Sequence, residues 1–127
     1  MEVKRTERGW AGHFIAADSC RFRRNTLLEY GNRRWVVSTI GNCHVAHGDL
    51  MPIGYERYYE TMAFEAEDRN GYIEADVSKQ LEFDSPCGIY ASDPDDLFDR
   101  YGENIDNTAN NMHERVVEEL TEAIRKE

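Results

Sequence analysis

Two dipeptides, Gly31-Asn32 and Asn70-Gly71, constrain this chain more than any other feature. Each combines residues that tolerate positive φ, and each lies between runs rich in β-branched, aromatic and alternating residues. That combination commits the flanking segments to antiparallel hairpins. The first hairpin is expected from Phe22 to Ile40. Glycine at its first central turn position suits a type II′ turn. The register then sets Tyr30 against Arg33, Glu29 against Arg34, Leu28 against Trp35 and Leu27 against Val36. The Glu29–Arg34 opposition supports this pairing, because opposite charges across a ladder stabilise it.

The second hairpin is expected from Tyr58–Glu67 and Tyr72–Phe83, around Asp68-Arg69-Asn70-Gly71. Its second strand alternates, with Ile73, Ala75, Val77, Leu81 and Phe83 on one face. Lys79 interrupts that face. A four-residue loop sets Lys79 opposite Glu60, whereas a tight turn on Asn70-Gly71 sets it opposite Met62. The two registers differ by two residues, so both send the same side chains to the core. Trp10–Ile15 reads as a further strand, closed by the polar pair Asp18-Ser19. Residues 41–57, with Gly41, Gly48, Pro52 and Gly54, read as a loop. Residues 84–104 read as an irregular acidic loop with a helical turn around Leu97-Phe98.

After residue 104 the hydrophobic period changes from 2 to 3.6. Ile105, Ala109, Met112, Val116, Leu120 and Ala123 make one helical stripe, widened by Val117 and Ile124. Asn104 or Asp106 supplies the N-cap, and Arg125 and Lys126 suit the C-terminal end of the helix dipole. His113, one step from the stripe, is expected to be half exposed. The predicted architecture is α+β: an antiparallel sheet of about four or five strands with one C-terminal amphipathic helix packed on one face. At 127 residues, 1–127 is expected to be a single domain. No apolar run is long enough to span a membrane, and the N-terminal residues do not read as a signal peptide. Cys20, Cys43 and Cys87 are an odd number at irregular spacing, which suggests free thiols in a reducing cytosol.

Charge divides this framework. Residues 1–40 hold eight Lys or Arg against four Asp or Glu, while residues 60–106 hold fourteen acids against three bases. The formal net charge is −10. A strongly acidic surface repels nucleic acid and anionic membrane and attracts basic partners. On the second hairpin the solvent face collects Glu65, Glu67, Glu74 and Asp76. In either register carboxylates oppose carboxylates, at a cost in sheet stability. Such a local conflict marks a place to look for function. Asp93, Asp95, Asp96 and Asp99 in the following loop extend the surface. Spaced along strands, these carboxylates can imitate the charge of a nucleic-acid backbone. The plainer reading of the same face is solubility.

Two other sites compete. Arg23, Arg24, Arg34 and Trp35 interleave cations with a ring, the pattern of single-strand nucleic-acid sites, although the overall charge opposes it. Cys43, His44 and His47 fall within five residues and suit zinc, but a structural zinc site needs four ligands and no second pair exists. No cofactor is expected. The abundance of acids makes any catalytic pair among them uninformative, and no other enzymatic motif stands out.

The segments Arg8-Gly9-Trp10-Ala11-Gly12-His13-Phe14, Phe22-Arg23-Arg24-Asn25-Thr26, Arg57-Tyr58-Tyr59-Glu60-Thr61-Met62-Ala63 and Asn111-Met112-His113-Glu114 resemble blocks of a family of small proteins carried by bacteriophages, prophages and plasmids. Cys43–His47 lies outside those blocks. The resemblance implies a bacterial cytoplasmic setting and no catalytic residues. By analogy it points to an anti-defence inhibitor of the anti-CRISPR type, acting on a host nucleic-acid-handling protein as a nucleic-acid mimic. A homodimer is compatible with these features.

Overall fold

The structure, a computed structural model, describes residues 2–8, 20–44 and 50–126. The expected strand at Trp10–Ile15 and the turn at Asp18-Ser19 lie outside these residues, as does His47. The fold is α+β. Strands β1 (Lys4–Glu7), β2 (Cys20–Tyr30), β3 (Arg33–His44), β4 (Leu50–Met51), β5 (Arg57–Arg69), β6 (Tyr72–Leu81) and β7 (Gly88–Tyr90) form one antiparallel sheet. Helices α1 (Pro94–Tyr101) and α2 (Ile105–Arg125) follow. The strand order is β1-β2-β3-β5-β6, with β4 on β3 and β7 on β5. Because β2 and β3 occupy the other edges, β4 prolongs the row of β5 and β7 that of β6.

The first hairpin has the expected register at all four pairs, from Tyr30↔Arg33 to Leu27↔Val36. Gly31 takes φ 65 and Asn32 keeps a negative φ, the pattern of a II′ turn. β3 runs on through Gly41 to His44, so the expected loop there begins later. Gly41 makes that run possible: a Cβ on it would lie 2.1 Å from the Tyr59 ring. The ring fills the space a side chain would need.

At the second hairpin Asn70 (φ 56) and Gly71 (φ 89) form the tight turn, with Glu67 opposite Glu74. Neither expected position of Lys79 holds. Pairing jumps from Ala66↔Ala75 to Phe64↔Gln80, so five steps on β6 match two on β5. Residues 76–79 bulge out, pinned by the Asp76 carboxylate, which accepts from the Ser78 amide (3.0 Å) and hydroxyl (2.5 Å). Lys79 lies 3.8 Å from Asp76. The odd number of inserted residues flips the alternation. Ala75 shares a face with Phe64, Leu81 shares the opposite face with Ala63, and Val77 is 65 % exposed. The single apolar face expected for β6 is therefore split in two.

The sheet also curls. Arg8, which follows β1 at one edge, donates to Asn25 Oδ1 (2.7 Å) and to the carbonyl of Ile73 in β6 (2.8 Å). One guanidinium reaches between the first and last strands.

α2 packs along the face made by Leu28, Trp35, Val37 and Ala63, contributing Val116, Val117, Leu120 and Ile124. Its N-terminal half packs with Tyr59, Ile89 and Leu97 through Ile105, Ala109 and Met112. Ala123 is exposed and Ile124 takes its place in the stripe. Asn104 is the N-cap residue, without a side-chain cap bond. The acidic segment after residue 84 is more ordered than expected. Asp93 caps α1 by accepting from the Asp96 amide (2.7 Å), Pro94 begins the helix, and Asp95 and Asp96 occupy its first turn. Cys20 is buried and disulfide-bonded, which corrects the expectation of free thiols; Cys87 is free. Among the described residues no helix is long and apolar enough to cross a membrane.

Candidate functional site

The carboxylates singled out from the sequence divide into committed and open groups. Glu65 pairs with Arg33 (3.0 Å). Arg69 bridges the opposed Glu67 and Glu74, at 2.9 and 3.5 Å. The cross-strand conflict is real but relieved by the arginine at the turn. Asp76 holds its own bulge, and Ser78 keeps its carboxyl below the usual range. Asp93 is a helix cap, and Asp96 accepts from the Ser92 amide (2.8 Å) and from Arg100 (2.9 Å). Of the eight, Asp95 and Asp99 alone are exposed with no bonded partner among the described residues.

A second acidic surface has no counterpart in the sequence pattern. The segment after β6 and the C-terminal half of α2 flank a shallow, open groove of about 600 Å³ rimmed by Glu82, Asp84, Glu118, Glu119 and Glu122, against Lys126 alone. Phe83 and Ala123 form its apolar part. Glu119 accepts from the Ser85 hydroxyl and Glu122 pairs with Arg125 (3.3 Å). Glu82, Asp84 and Glu118 are exposed and have no hydrogen-bond or ion-pair partner among the described residues. The groove unites segments more than 30 residues apart, so no local pattern announces it. Among the described residues no group of three or more His, Cys, Asp or Glu is arranged to hold a metal ion. The rim is a charged surface, not a chelate.

The arginine and aromatic residues are differently employed. Trp35 is 3 % exposed, with Arg33 stacked 4.7 Å above its ring, so it cannot offer a face to a base. Arg34 binds Glu29 (3.2 Å). Arg24 binds Glu7 (2.8 Å) and Glu114 (3.0 Å), and Arg23 is also engaged. Cys43 and His44 fall on β3, and the convergence with His47 that a zinc site needs lies outside the described residues.

The least expected polar element lies in the core. His113 is fully buried, which corrects the expectation of half exposure. Its Nε2 is 2.7 Å from Thr26 Oγ1 and its Nδ1 is 2.7 Å from Thr39 Oγ1. Thr39 in turn meets Thr61 Oγ1 at 2.6 Å, and the Thr26 hydroxyl donates to Glu7 Oε1 at 2.7 Å. Burial, and then Arg24, push the imidazole pKa down to about 4. At the surface end Arg5 grips Glu114 with two bonds, of 2.7 and 2.6 Å, which hold the Glu114 carboxyl at about 2. Burial pushes the Glu7 carboxyl up, but the Thr26 hydroxyl and the two arginines outweigh it and leave it below its ordinary value.

Comparison of the chain with protein-family models, with curated proteins and with solved structures finds no match.

Proposed function

We propose that this protein is a non-enzymatic binding protein that engages a basic partner through its acidic surface. The reading extends to an anti-defence inhibitor, of the anti-CRISPR type, that occupies a Lys/Arg-lined nucleic-acid channel of a bacterial host protein. The observation that carries it is the groove rim, where Glu82, Asp84 and Glu118 stand exposed and uncompensated on a chain of net charge −10. Like charges held together cost stability, and a basic partner relieves that cost. Glu67, Glu74 and Asp95 lend further negative charge; Glu65, Asp76, Asp93 and Asp96 serve the fold first.

The test is competition. A nucleic-acid-guided effector should lose target binding when this protein is added, and DNA or RNA should displace the protein from the effector. Retained inhibition after reversing Glu82, Asp84 and Glu118 to lysine would remove the groove from the mechanism. Co-occupancy with nucleic acid would remove mimicry.

A further inference from the structure

Proton counting gives the buried chain a direction. Ionised Glu7 can only accept, so the single Thr26 hydrogen goes to it. Thr26 Oγ1 must then receive a hydrogen from His113 Nε2. A neutral imidazole has one N–H, so Nδ1 is bare and accepts from Thr39. Thr39 has then spent its hydrogen and accepts from Thr61. Every donor from Thr61 through Thr39, His113 and Thr26 points toward Glu7, and α2 is joined to β1, β2, β3 and β5 by one aligned series.

We infer that this series is an acid-sensitive latch between α2 and the sheet: it closes with His113 neutral as the Nε2–H tautomer, and it loosens when the ring takes up a second proton. The added proton on Nδ1 would face a hydrogen already on Thr39. Thr39 must turn toward Thr61, and Thr61 must turn its own hydrogen away, with no other acceptor bonded to it among the described residues. A buried hydroxyl left unsatisfied is costly. The new cation would also sit near Arg24 of β2 and Arg5 of β1, partly offset by Glu7 of β1 and Glu114 of α2. β3 and β5 present only hydroxyls to the series. The sheet's own hairpins do not depend on the ring, so the loss falls first on the helix.

Hydrogen exchange and ring nitrogen NMR on the full chain test this. At neutral pH the His113 signals should report Nε2–H; an Nδ1–H tautomer overturns the series. Between pH 7 and pH 4.5, protection of the α2 amides, corrected for intrinsic exchange, should fall on the order of 100-fold. The β2–β3 amides should fall less. His113→Gln can donate to Thr26 and accept from Thr39 without titrating, so its α2 protection should stay level over that range. An equal loss in His113→Gln would assign the effect to the carboxylates and overturn the latch. If His113→Gln does not fold, the wild-type ring decides alone: titration near the ordinary histidine value overturns the proposal, and none above pH 5 supports it.

Discussion

His113 shows how a single side chain can belong to the core without being apolar. An imidazole stripped of water is tolerated because both ring nitrogens are bonded and the ring stays neutral. Thr39→Val keeps the shape but removes the donor to Nδ1, so it should cost about 1–3 kcal/mol in urea unfolding. The pH dependence has a fixed sign. The unfolded ring binds a proton near 6.5, the folded ring not until about 4. Stability from this residue is complete above about pH 6.5 and is lost as pH falls toward 4, by about 3 kcal/mol in all. Glu114, ordinarily 4.5 and held at about 2, adds a second loss below pH 4.5. Acid unfolding followed by circular dichroism should therefore begin in the histidine range, and in His113→Gln it should begin lower. Gly41→Ala is the steric counterpart: its Cβ meets the Tyr59 ring at 2.1 Å, so ring or strand must move. A loss of about 2 kcal/mol or more is expected, at the scale of overpacking. None of these roles is legible locally. Thr26, Thr39 and Thr61 stand on three strands, and only their pairing brings them under one helix.

Elements were readable where one local signal agreed with one long-range pattern. The β2–β3 register follows from a turn glycine and an opposed Glu29–Arg34 pair, and the α2 stripe follows from its period. β6 was not readable in full, because alternation looks continuous in sequence even when an odd insertion inverts it in space. α1 carried a local signal that the density of acids obscured: Asp93-Pro94-Asp95-Asp96 is a cap, a first-turn proline and two first-turn acids. Asp93→Ala should cost about 1 kcal/mol of stability in urea unfolding, as helix caps do. Binding of a basic partner should stay within about twofold in the same variant, because Asp93 serves the helix rather than the groove.

Across the whole molecule, the fold redistributes charge that the sequence only counts. Most of the basic N-terminal stretch is consumed: Arg5 and Arg24 neutralise Glu7 and Glu114, Arg34 neutralises Glu29, and Arg33 covers Trp35 and pairs with Glu65, while Lys4 and Arg21 stay exposed. Much of the acidic middle is consumed too, by Arg69, Lys79 and Arg100. Of the acids left without a partner among the described residues, Glu82, Asp84 and Glu118 gather where residues 82–84 face α2, while Glu56, Asp95, Asp99 and Glu103 lie outside that groove. The sign of the surface was legible in composition; its address was not, because it needs the helix docked beside a segment far away in sequence.

The most direct measurement is calorimetric binding of an arginine-rich peptide to the wild type and to two charge-reversed variants with the same change in net charge. One carries lysine at Glu82, Asp84 and Glu118, the other at Glu65, Glu67 and Glu74. Binding to the wild type should be salt-sensitive. The groove variant should lose about tenfold or more, equivalent to ~1.4 kcal/mol, and the hairpin variant less. Equal losses in the two, or a larger loss at the hairpin, would contradict the assignment of the groove as the binding surface.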